Sequence, residues 1–307
     1  VTLPLITAPK AKAFAAYAFP DGHSMMSAMA EISRESLASE CFGFDPYLQA
    51  QRMKRASLAS DVSQLSGVIK AGETLKDKIV GGAKVALAGR RFMDDVAWSF
   101  STVSEGRTEA EAAFQKERID EISREYQGRE LPDSIPRILA ANPFGPVNNM
   151  VGAEGERWLP VHALVPHSDA KSTLDAIEAL FDQHNATMTE YSIETGYLIT
   201  TVSQQITLIE PVFFWPDALN ELHEHSLEDD HLARLNRHEA VPGAWDAVNT
   251  IKSEMTAMFS ELGTSHFQLG RAYHYRDGLA DANAEIVTAL KSKLDPDGII
   301  NPGVLGL

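Results

Sequence analysis

Polar residues that could perform acid–base chemistry cluster in GTSHFQLGRAYHY, residues 263–275. We predict a β-strand here. Alternation along this strand places five residues on one face: His266, Gln268, Gly270, Ala272 and His274. The small residues of this face leave room for a ligand. The other face carries Arg271 with Tyr273 and Tyr275, a set suited to orienting a carboxylate. His266 is the prime candidate for an acid or base, and the alternative is an ordinary strand whose polar groups are satisfied by its neighbours.

A second group of candidates lies on other predicted strands. Glu210 stands among apolar residues in QQITLIEPVFFW, and a carboxylate buried there needs a partner, either a ligand or an arginine. Gln205 could line the same surface. His162 lies mid-strand in WLPVHALVP, where a satisfied core histidine is the alternative to a functional one. We assign to substrate binding His162, Gln205, Glu210, Gln268 and Tyr275.

Several motifs that would identify other chemistry are absent from the sequence. There is no glycine-rich GxGxxG or GxxxxGK[ST] loop, no HExxH and no GxSxG. The histidine-rich run LHEHSLEDDHLARLNRH, residues 222–238, has the spacing of a solvated polar surface. We therefore predict no metal site and no phosphate-binding loop within this chain.

Composition excludes some classes of partner. The 307 residues carry 43 acidic and 27 basic side chains, a formal net charge of −16, so nucleic acid is not an expected partner. The single cysteine, Cys41, cannot form an intrachain disulfide. No signal peptide and no apolar run of about 18 residues is present, so we predict no membrane span and a cytoplasmic or membrane-peripheral protein.

Hydrophobic periodicity predicts two sets of alternating strands and helices. In the first set we predict a strand over 10–19, a helix after Asp21, a strand over 39–45, helices within 46–92 broken at Gly81-Gly82, a strand over 94–106, a helix over 108–126 and a short helix within 133–141. In the second set we predict a strand over 157–166, a helix over 169–185, one or two strands over 186–215 and helices over 216–225, 243–262 and 279–294. The expected fold class is α+β, with ferredoxin-like split β-α-β units forming a large, mostly antiparallel sheet covered by helices.

The tail KSKLDPDGIINPGVLGL resembles the C-terminus of FAD-linked oxidases. These form the vanillyl-alcohol oxidase and p-cresol methylhydroxylase flavoprotein superfamily, and the likeness is to its glycolate oxidase and D-lactate dehydrogenase branch. Members end on a helix followed by LDPxGIxNPG, the pattern of residues 294–303. The start VTLPLITAPKAKAFAAYAFPD resembles their junction between the flavin and cap domains, and GERWLPVHALVPHSDA and GTSHFQLGRAYHY are similar to cap strands.

This resemblance implies that residues 1–307 are the C-terminal substrate (cap) domain, with residues from about 276 returning toward an N-terminal FAD-binding domain that the chain lacks. The missing initiator Met agrees with a piece of a longer protein. FAD would be the cofactor, with Asn301 near it, and the chemistry would be hydride transfer from a CH–OH carbon to flavin N5. The implied catalytic residues are His266, Arg271 and Tyr273. The implied partners are a small-molecule substrate, the chain's own FAD-binding domain and an electron acceptor of unknown identity, and a homodimer is left open.

Departures from the family pattern limit the function. Metal-dependent members carry GDGNxH and EHG motifs, whereas this chain has neither and reads SHF at 265–267. The Tyr-Arg pair of phenol-oxidising members has only a loose counterpart in Arg271, Tyr273, Tyr275 and Arg276. The predicted substrate is a 2-hydroxy acid such as D-lactate or glycolate, with a phenolic or aryl alcohol, or a non-catalytic protein-interaction domain, as alternatives. Val304–Leu307, without their usual partner, are expected to be exposed, mobile or held by another chain.

Overall fold

The computed structural model describes residues 7–56, 97–141 and 147–307. Within these ranges the chain forms one sheet of eight strands, each antiparallel to its neighbours. The strands are β1 (Ala11–Phe19), β2 (Glu40–Phe44), β3 (Trp98–Gly106), β4 (Arg129–Leu131), β5 (Arg157–Pro160), β6 (Ala163–Pro166), β7 (Glu194–Val202) and β8 (Ile206–Trp215). The predicted α+β class with a large antiparallel sheet is confirmed.

Helices alternate with these strands. They are α1 (Gly22–Arg34), α2 (Pro46–Ala56), α3 (Glu109–Glu125), α4 (Ser134–Ala141), α5 (Ala170–Gln183), α6 (Asn185–Glu190), α7 (Glu221–Ser226), α8 (Asp229–Leu232), α9 (Ala244–Glu261) and α10 (Asp281–Leu294). Asp21 caps α1 as predicted, its Oδ1 accepting from Ser24 N at 2.7 Å. None of the described helices is both long and apolar enough to cross a membrane. The helices predicted beyond residue 56, with the break at Gly81-Gly82, lie outside the described residues.

The strand order shows why the sheet is built from split β-α-β units. In the order β4-β1-β3-β2-β7-β8-β5, strand β3 lies between β1 and β2, which α1 connects, and β4 returns from α3 to the other side of β1. In the second half, β8 lies between β6 and β7, which α5 connects. Both halves therefore have the predicted ferredoxin-like arrangement, and the pairing of β2 with β7 joins them into one sheet.

The main core lies between one face of the sheet and helices α1, α3, α5 and α9. Met25, Met29 and Ile32 are buried on one face of α1, at helical spacing. On the sheet, Tyr17 of β1 faces Phe100 of β3 with ring centroids 5.5 Å apart. These side chains fix which residues of each strand point toward the helices.

Residues that alternate with the core residues point to the opposite side of the sheet, which we call the second face. Across it, Phe44 lies opposite Leu198, and Leu198 lies opposite Glu210 on its other side. In the next row Phe42 lies opposite Thr200. Of these five side chains only Phe44 is buried, whereas the others are partly exposed. A ligand can therefore reach strand side chains on the second face.

The segment 263–275 is not a strand, contrary to the prediction. Within the described residues its ladder pairing is limited to an isolated bridge between Ser265 and Leu164. Gly263 and Gly270 have φ values of 68° and 48°, which interrupt an extended backbone. The predicted division of this segment into two faces is therefore wrong, and contacts with the strand edge place its side chains instead.

Other element boundaries also differ from prediction. The strand predicted over 157–166 is divided into β5 and β6 opposite Pro211. Val161 N donates to Pro211 O at 3.0 Å, but proline has no backbone N–H to complete the ladder. Residues 186–190, predicted as strand, belong to α6, and β7 begins only at Glu194. The helix predicted from Pro216 begins at Glu221, where Asn220 Oδ1 accepts from the N3 backbone N–H.

The C-terminal tail is tied to segment 263–275. Leu305 N donates to Gly270 O at 2.8 Å, and Arg271 Nη2 donates to Pro302 O at 2.6 Å. Leu305 and Leu307 are half-buried, whereas Ile299 is exposed. Val304–Leu307 were expected to be exposed, mobile or held by another chain. The Leu305 backbone instead pairs within the chain, while Leu305 and Leu307 stay partly exposed.

Candidate active site

Glu210 is a carboxylate on the second face without a bonding partner among the described residues. Its neighbours across β7 and along β8 are Leu198, Leu208 and Val212. Burial alone raises the pKa of Glu210 to about 7. The arginine partner considered in the sequence analysis is not found in the described part of the chain. A carboxyl group that gains or loses a proton near neutral pH is suited to acid–base chemistry.

His162 stands directly across from Glu210. The pairs Pro160 with Val212 and Ala163 with Ile209 lie in one continuous register, and that register sets His162 opposite Glu210. His162 is 2% exposed. Because two neighbours on adjacent strands share a face, the imidazole and the carboxylate belong to one cluster.

The hydrogen bonds of His162 define its tautomer. Nε2 accepts from the backbone N–H groups of Phe267 and Gln268, each at 3.4 Å. The ring proton is therefore assigned to Nδ1, which lies 3.0 Å from the Tyr273 hydroxyl. Burial, with the charge of His266 adding to it, lowers the pKa of His162 to about 4. His162 is thus neutral near pH 7 and acts as a donor to Tyr273.

Tyr273 is held with its hydroxyl oxygen accepting two hydrogen bonds. Both come from His162, one from its backbone N–H at 2.8 Å and one from Nδ1 at 3.0 Å. The hydroxyl proton is left for a third partner. Burial raises the pKa of Tyr273 to about 12, and the charge of Glu210 adds to the increase. Tyr273 joins the cluster through His162, which lies across from Glu210.

His266 supports this arrangement from the side. Its ring stacks on Tyr273 with centroids 3.9 Å apart, and Nδ1 donates to His162 O at 2.7 Å. Nε2 is 3.3 Å from Thr264 Oγ1. Burial is the main cause that lowers the pKa of His266. A neutral ring with both nitrogens engaged is better suited to positioning Tyr273 than to taking a proton.

The structure thus brings together four predicted site residues, His162, Glu210, His266 and Tyr273. Gln268 joins them through its backbone N–H, while its side chain is exposed.

The remaining predicted site residues lie elsewhere. Arg271 binds the tail at Pro302 O, and Asn301 is exposed in that tail with a φ of 46°. Gln205 is exposed in the turn between β7 and β8, about 17 Å from Glu210 by the rise of an extended strand. Tyr275 is half-buried two residues beyond Tyr273. The contacts described for these four residues do not include Glu210, and their roles stay predictions.

Sequence reasoning missed Phe267 and the second-face neighbours of Glu210. Phe267 is 53% exposed, and its ring stacks on His162 with centroids 4.4 Å apart. Leu198 and Thr200 share the face of Glu210 on β7. The signal for this pair was the alternation within YLITTV, which could be placed opposite Glu210 only once the β7–β8 pairing was known.

The described residues hold no group of three histidine, cysteine or acidic side chains placed to bind a metal ion.

Three solved enzymes share this architecture. An alkyldihydroxyacetonephosphate synthase matches over 96% of this chain and 45% of its own, with a TM-score of 0.51 and 12% identity. The 4-ethylphenol oxidase from Gulosibacter chungangensis, in complex with isoeugenol, matches over 98% and 55%, with a TM-score of 0.53 and 13% identity. A p-cresol methylhydroxylase with substrate bound matches over 97% and 53%, with a TM-score of 0.59 and 13% identity. The chain has their fold.

The likeness is one of fold alone, because the identities are only 12–13%. At that level it agrees with the superfamily that the tail motif resembles, for which p-cresol methylhydroxylase is a name-giving member. The glycolate oxidase and D-lactate dehydrogenase branch stays a prediction. No family model matches the sequence, and no curated protein matches it. The chain spans about half the length of the enzymes it matches.

Proposed function

We propose that the chain is the substrate domain of an FAD-dependent oxidoreductase that oxidises a CH–OH group, with Glu210 accepting the hydroxyl proton. The observation that carries the proposal is Glu210 itself, a carboxylate with a pKa of about 7 and no partner among the described residues, on a partly exposed face. A base with a pKa near the working pH is the most effective proton acceptor. Superfamily resemblance and shared fold support the reaction class.

The second face fits one side of a planar ring system. Phe42 on β2 and Leu198 on β7 are partly exposed on this face, and Glu210 on β8 offers an oxygen acceptor between apolar neighbours. When bound, FAD would supply the hydride acceptor. Its phosphates would be held by the N-terminal domain that the resemblance implies. Asn301 is proposed to approach the cofactor from the tail.

Around the substrate hydroxyl, each residue of the cluster has a separate proposed role. A Glu210 oxygen takes the hydroxyl proton as the carbon–hydrogen bond breaks. The Tyr273 hydroxyl, its oxygen fixed by two bonds from His162, directs its proton toward the substrate oxygen. His266 holds the Tyr273 ring by stacking. Phe267, stacked on His162 and half exposed, limits the access of water.

We further propose an aryl or other apolar alcohol as the substrate, the alternative to a 2-hydroxy acid in the sequence analysis. A 2-hydroxy acid brings a carboxylate, which Glu210 would repel unless a cation lay nearby. Arg52 stacks at 4.4 Å on Phe44 of β2, and β7 lies between β2 and the strand that carries Glu210. The 4-ethylphenol oxidase and p-cresol methylhydroxylase neighbours favour the same class. Arg271, with further N–H groups beyond its bond to Pro302 O, is the observation that keeps the 2-hydroxy acid as the second candidate.

The test uses the full-length protein. We expect bound flavin in its absorption spectrum, and flavin reduction by aryl alcohols faster than by D-2-hydroxy acids. Reduction should speed up as pH rises through about 7, because Glu210 must be deprotonated to accept a proton. Glu210→Gln should slow reduction by about 100-fold or more, whereas Glu194→Gln, at an exposed position of β7, should leave it unchanged.

Two outcomes would contradict the proposal. A full-length protein without flavin would favour the non-catalytic interaction domain instead. A flavoprotein whose Glu210→Gln variant is reduced at the normal rate would retain the reaction class and remove Glu210 as the base.

A further inference from the structure

We propose a second ligand site, for a small oxyanion such as a phosphate or a carboxylate, on the helix-covered side of the molecule. A cavity of about 250 Å³ lies there, between α1, the C-terminal end of α3 and the start of α5. Its lining residues are Met26, Ser27, Ala30, Arg34, Tyr126, His167, Ser168 and Lys171. A water occupies about 30 Å³ of liquid, so the cavity has room for a phosphate group and several waters.

The charge of this cavity is opposite to that of the whole chain. Arg34 and Lys171 both line it, no acidic side chain does, and the formal net charge of the protein is −16. Neither Arg34 nor Lys171 forms an ion pair with another described residue. Glu31, which lies close to Tyr126, is engaged by the Tyr126 hydroxyl at 2.9 Å. Asp169, next to the lining, accepts from the Ser168 hydroxyl at 2.9 Å. Two cations that line one cavity without an ion pair attract an anion.

Lys171 occupies a position that the helix itself disfavours. It lies in the first turn of α5, where the helix dipole is positive and a cation costs stability. The N-cap side chain, Asp169, makes no hydrogen bond to the first-turn N–H groups. A bound anion would offset both the lysine charge and the uncapped N–H groups.

His167 gives an independent indication of a missing acceptor or donor at this cavity. Its Nδ1 lies 2.8 Å from Thr207 Oγ1, which fixes the ring. Its Nε2 is buried and has no hydrogen-bond partner within the described part of the chain. An unpaired buried nitrogen costs roughly 1–3 kcal/mol, and an oxygen of a ligand in the cavity would satisfy it. The Ser27 and Ser168 hydroxyls in the same wall already donate to His23 O at 2.8 Å and to Asp169 Oδ1 at 2.9 Å, so the cations and His167 carry the site.

The site does not depend on the proposed oxidoreductase function. Met26, which lines the cavity, belongs to the core on the helix side of the sheet, whereas Glu210 lies on the second face. Loss of the anion site should therefore leave flavin content and flavin reduction unchanged, and failure of the oxidoreductase proposal would leave anion binding unaffected.

Isothermal titration of the full-length protein with inorganic phosphate, sulfate and succinate tests the site. We expect saturable binding of one anion per chain, weakened about tenfold or more in the double variant Arg34→Gln/Lys171→Gln. The matched double variant Arg129→Gln/Lys293→Gln removes two exposed cations outside the cavity and should bind like the wild type. Binding of succinate in place of phosphate would assign a carboxylate ligand to the same site.

His167→Phe should also weaken binding, because the ring shape is kept and Nε2 is lost. Absence of saturable binding for all three anions, or unchanged binding in the Arg34→Gln/Lys171→Gln variant, would overturn the proposal.

Discussion

At the scale of single residues, Glu210 is a carboxyl group that burial deprives of much of its hydration. Its folded-state pKa, about 7, lies above the ordinary value of 4.5 because burial disfavours the charged form. Groups with strongly shifted pKa values cluster at functional sites, and such a shift lowers the free energy of unfolding.

That cost gives a prediction about pH and stability. The folded state holds the Glu210 proton more tightly than the unfolded state, so this contribution is fully present below about pH 4.5 and is lost as pH rises through about 7. We expect Glu210→Gln to raise the free energy of unfolding at pH 8 by up to about 3 kcal/mol relative to the wild type, measured by urea denaturation. The difference should be smaller at pH 5. A difference independent of pH would mean that Glu210 has a partner.

Tyr273 is the second residue whose chemistry can be tested by itself. Removal of its hydroxyl leaves two buried donors of His162, the backbone N–H and Nδ1–H, without an acceptor. We expect Tyr273→Phe to lower the free energy of unfolding by about 2 kcal/mol, measured by urea denaturation. Tyr275→Phe, at a half-buried neighbouring position, serves as the control and should cost much less. Equal losses would remove the special role of the Tyr273 hydroxyl.

At the scale of elements, Asp45 joins α2 to the sheet. One carboxylate oxygen accepts from Leu48 N at 3.0 Å in the first turn of α2 and from Tyr197 N at 2.8 Å on β7. The other accepts from Tyr47 N at 3.2 Å. A single buried side chain thus caps a helix and satisfies a strand where the two halves of the sheet meet.

We therefore predict that Asp45→Ala destabilises the protein by about 2 kcal/mol, as measured by the midpoint of urea unfolding. Asp169→Ala is the matched control, since Asp169 occupies the N-cap position of α5 and makes no capping bond. A loss for Asp169→Ala as large as that for Asp45→Ala would show that the bond to Tyr197 N adds nothing.

At the scale of the whole molecule, α10 leaves an apolar side uncovered. Ile286, Leu290 and Leu294 recur at the spacing of one helix face and are 60%, 56% and 76% exposed. Ile299 and Ile300 continue the exposed surface at 75% and 60%. Because the chain spans about half the length of the enzymes it matches, we propose that the upstream FAD-binding domain covers this surface.

The corresponding prediction uses the two halves expressed as separate chains. Leu290→Glu should leave the thermal stability of this chain unchanged, because the side chain is exposed, and should weaken capture of the upstream half about tenfold or more. Ser292→Glu places the same charge on the opposite side of α10 and should have little effect. Equal capture by both variants would assign the apolar side to another partner.

The sequence by itself determined the class of fold. Period-two and helical spacings identified β1, α1, β2 and α3, because each of these elements buries one regular face of its own. The alternation argument failed at residues 263–275, where Gly263 and Gly270 turn the backbone and His162 takes up two N–H groups. Local pattern carries no information about a partner that lies about a hundred residues away in the chain.

Only the tertiary structure decided which candidates form a site. Glu210 and His162 were each recognised in the sequence, but the β8 register alone sets them face to face. The sequence pattern predicts Tyr273 and Arg271 on one strand face. In the structure the Tyr273 hydroxyl binds His162, whereas Arg271 binds the tail. The physical reason is that pKa and hydrogen bonding depend on burial and on contacts between distant segments, which composition and spacing do not encode.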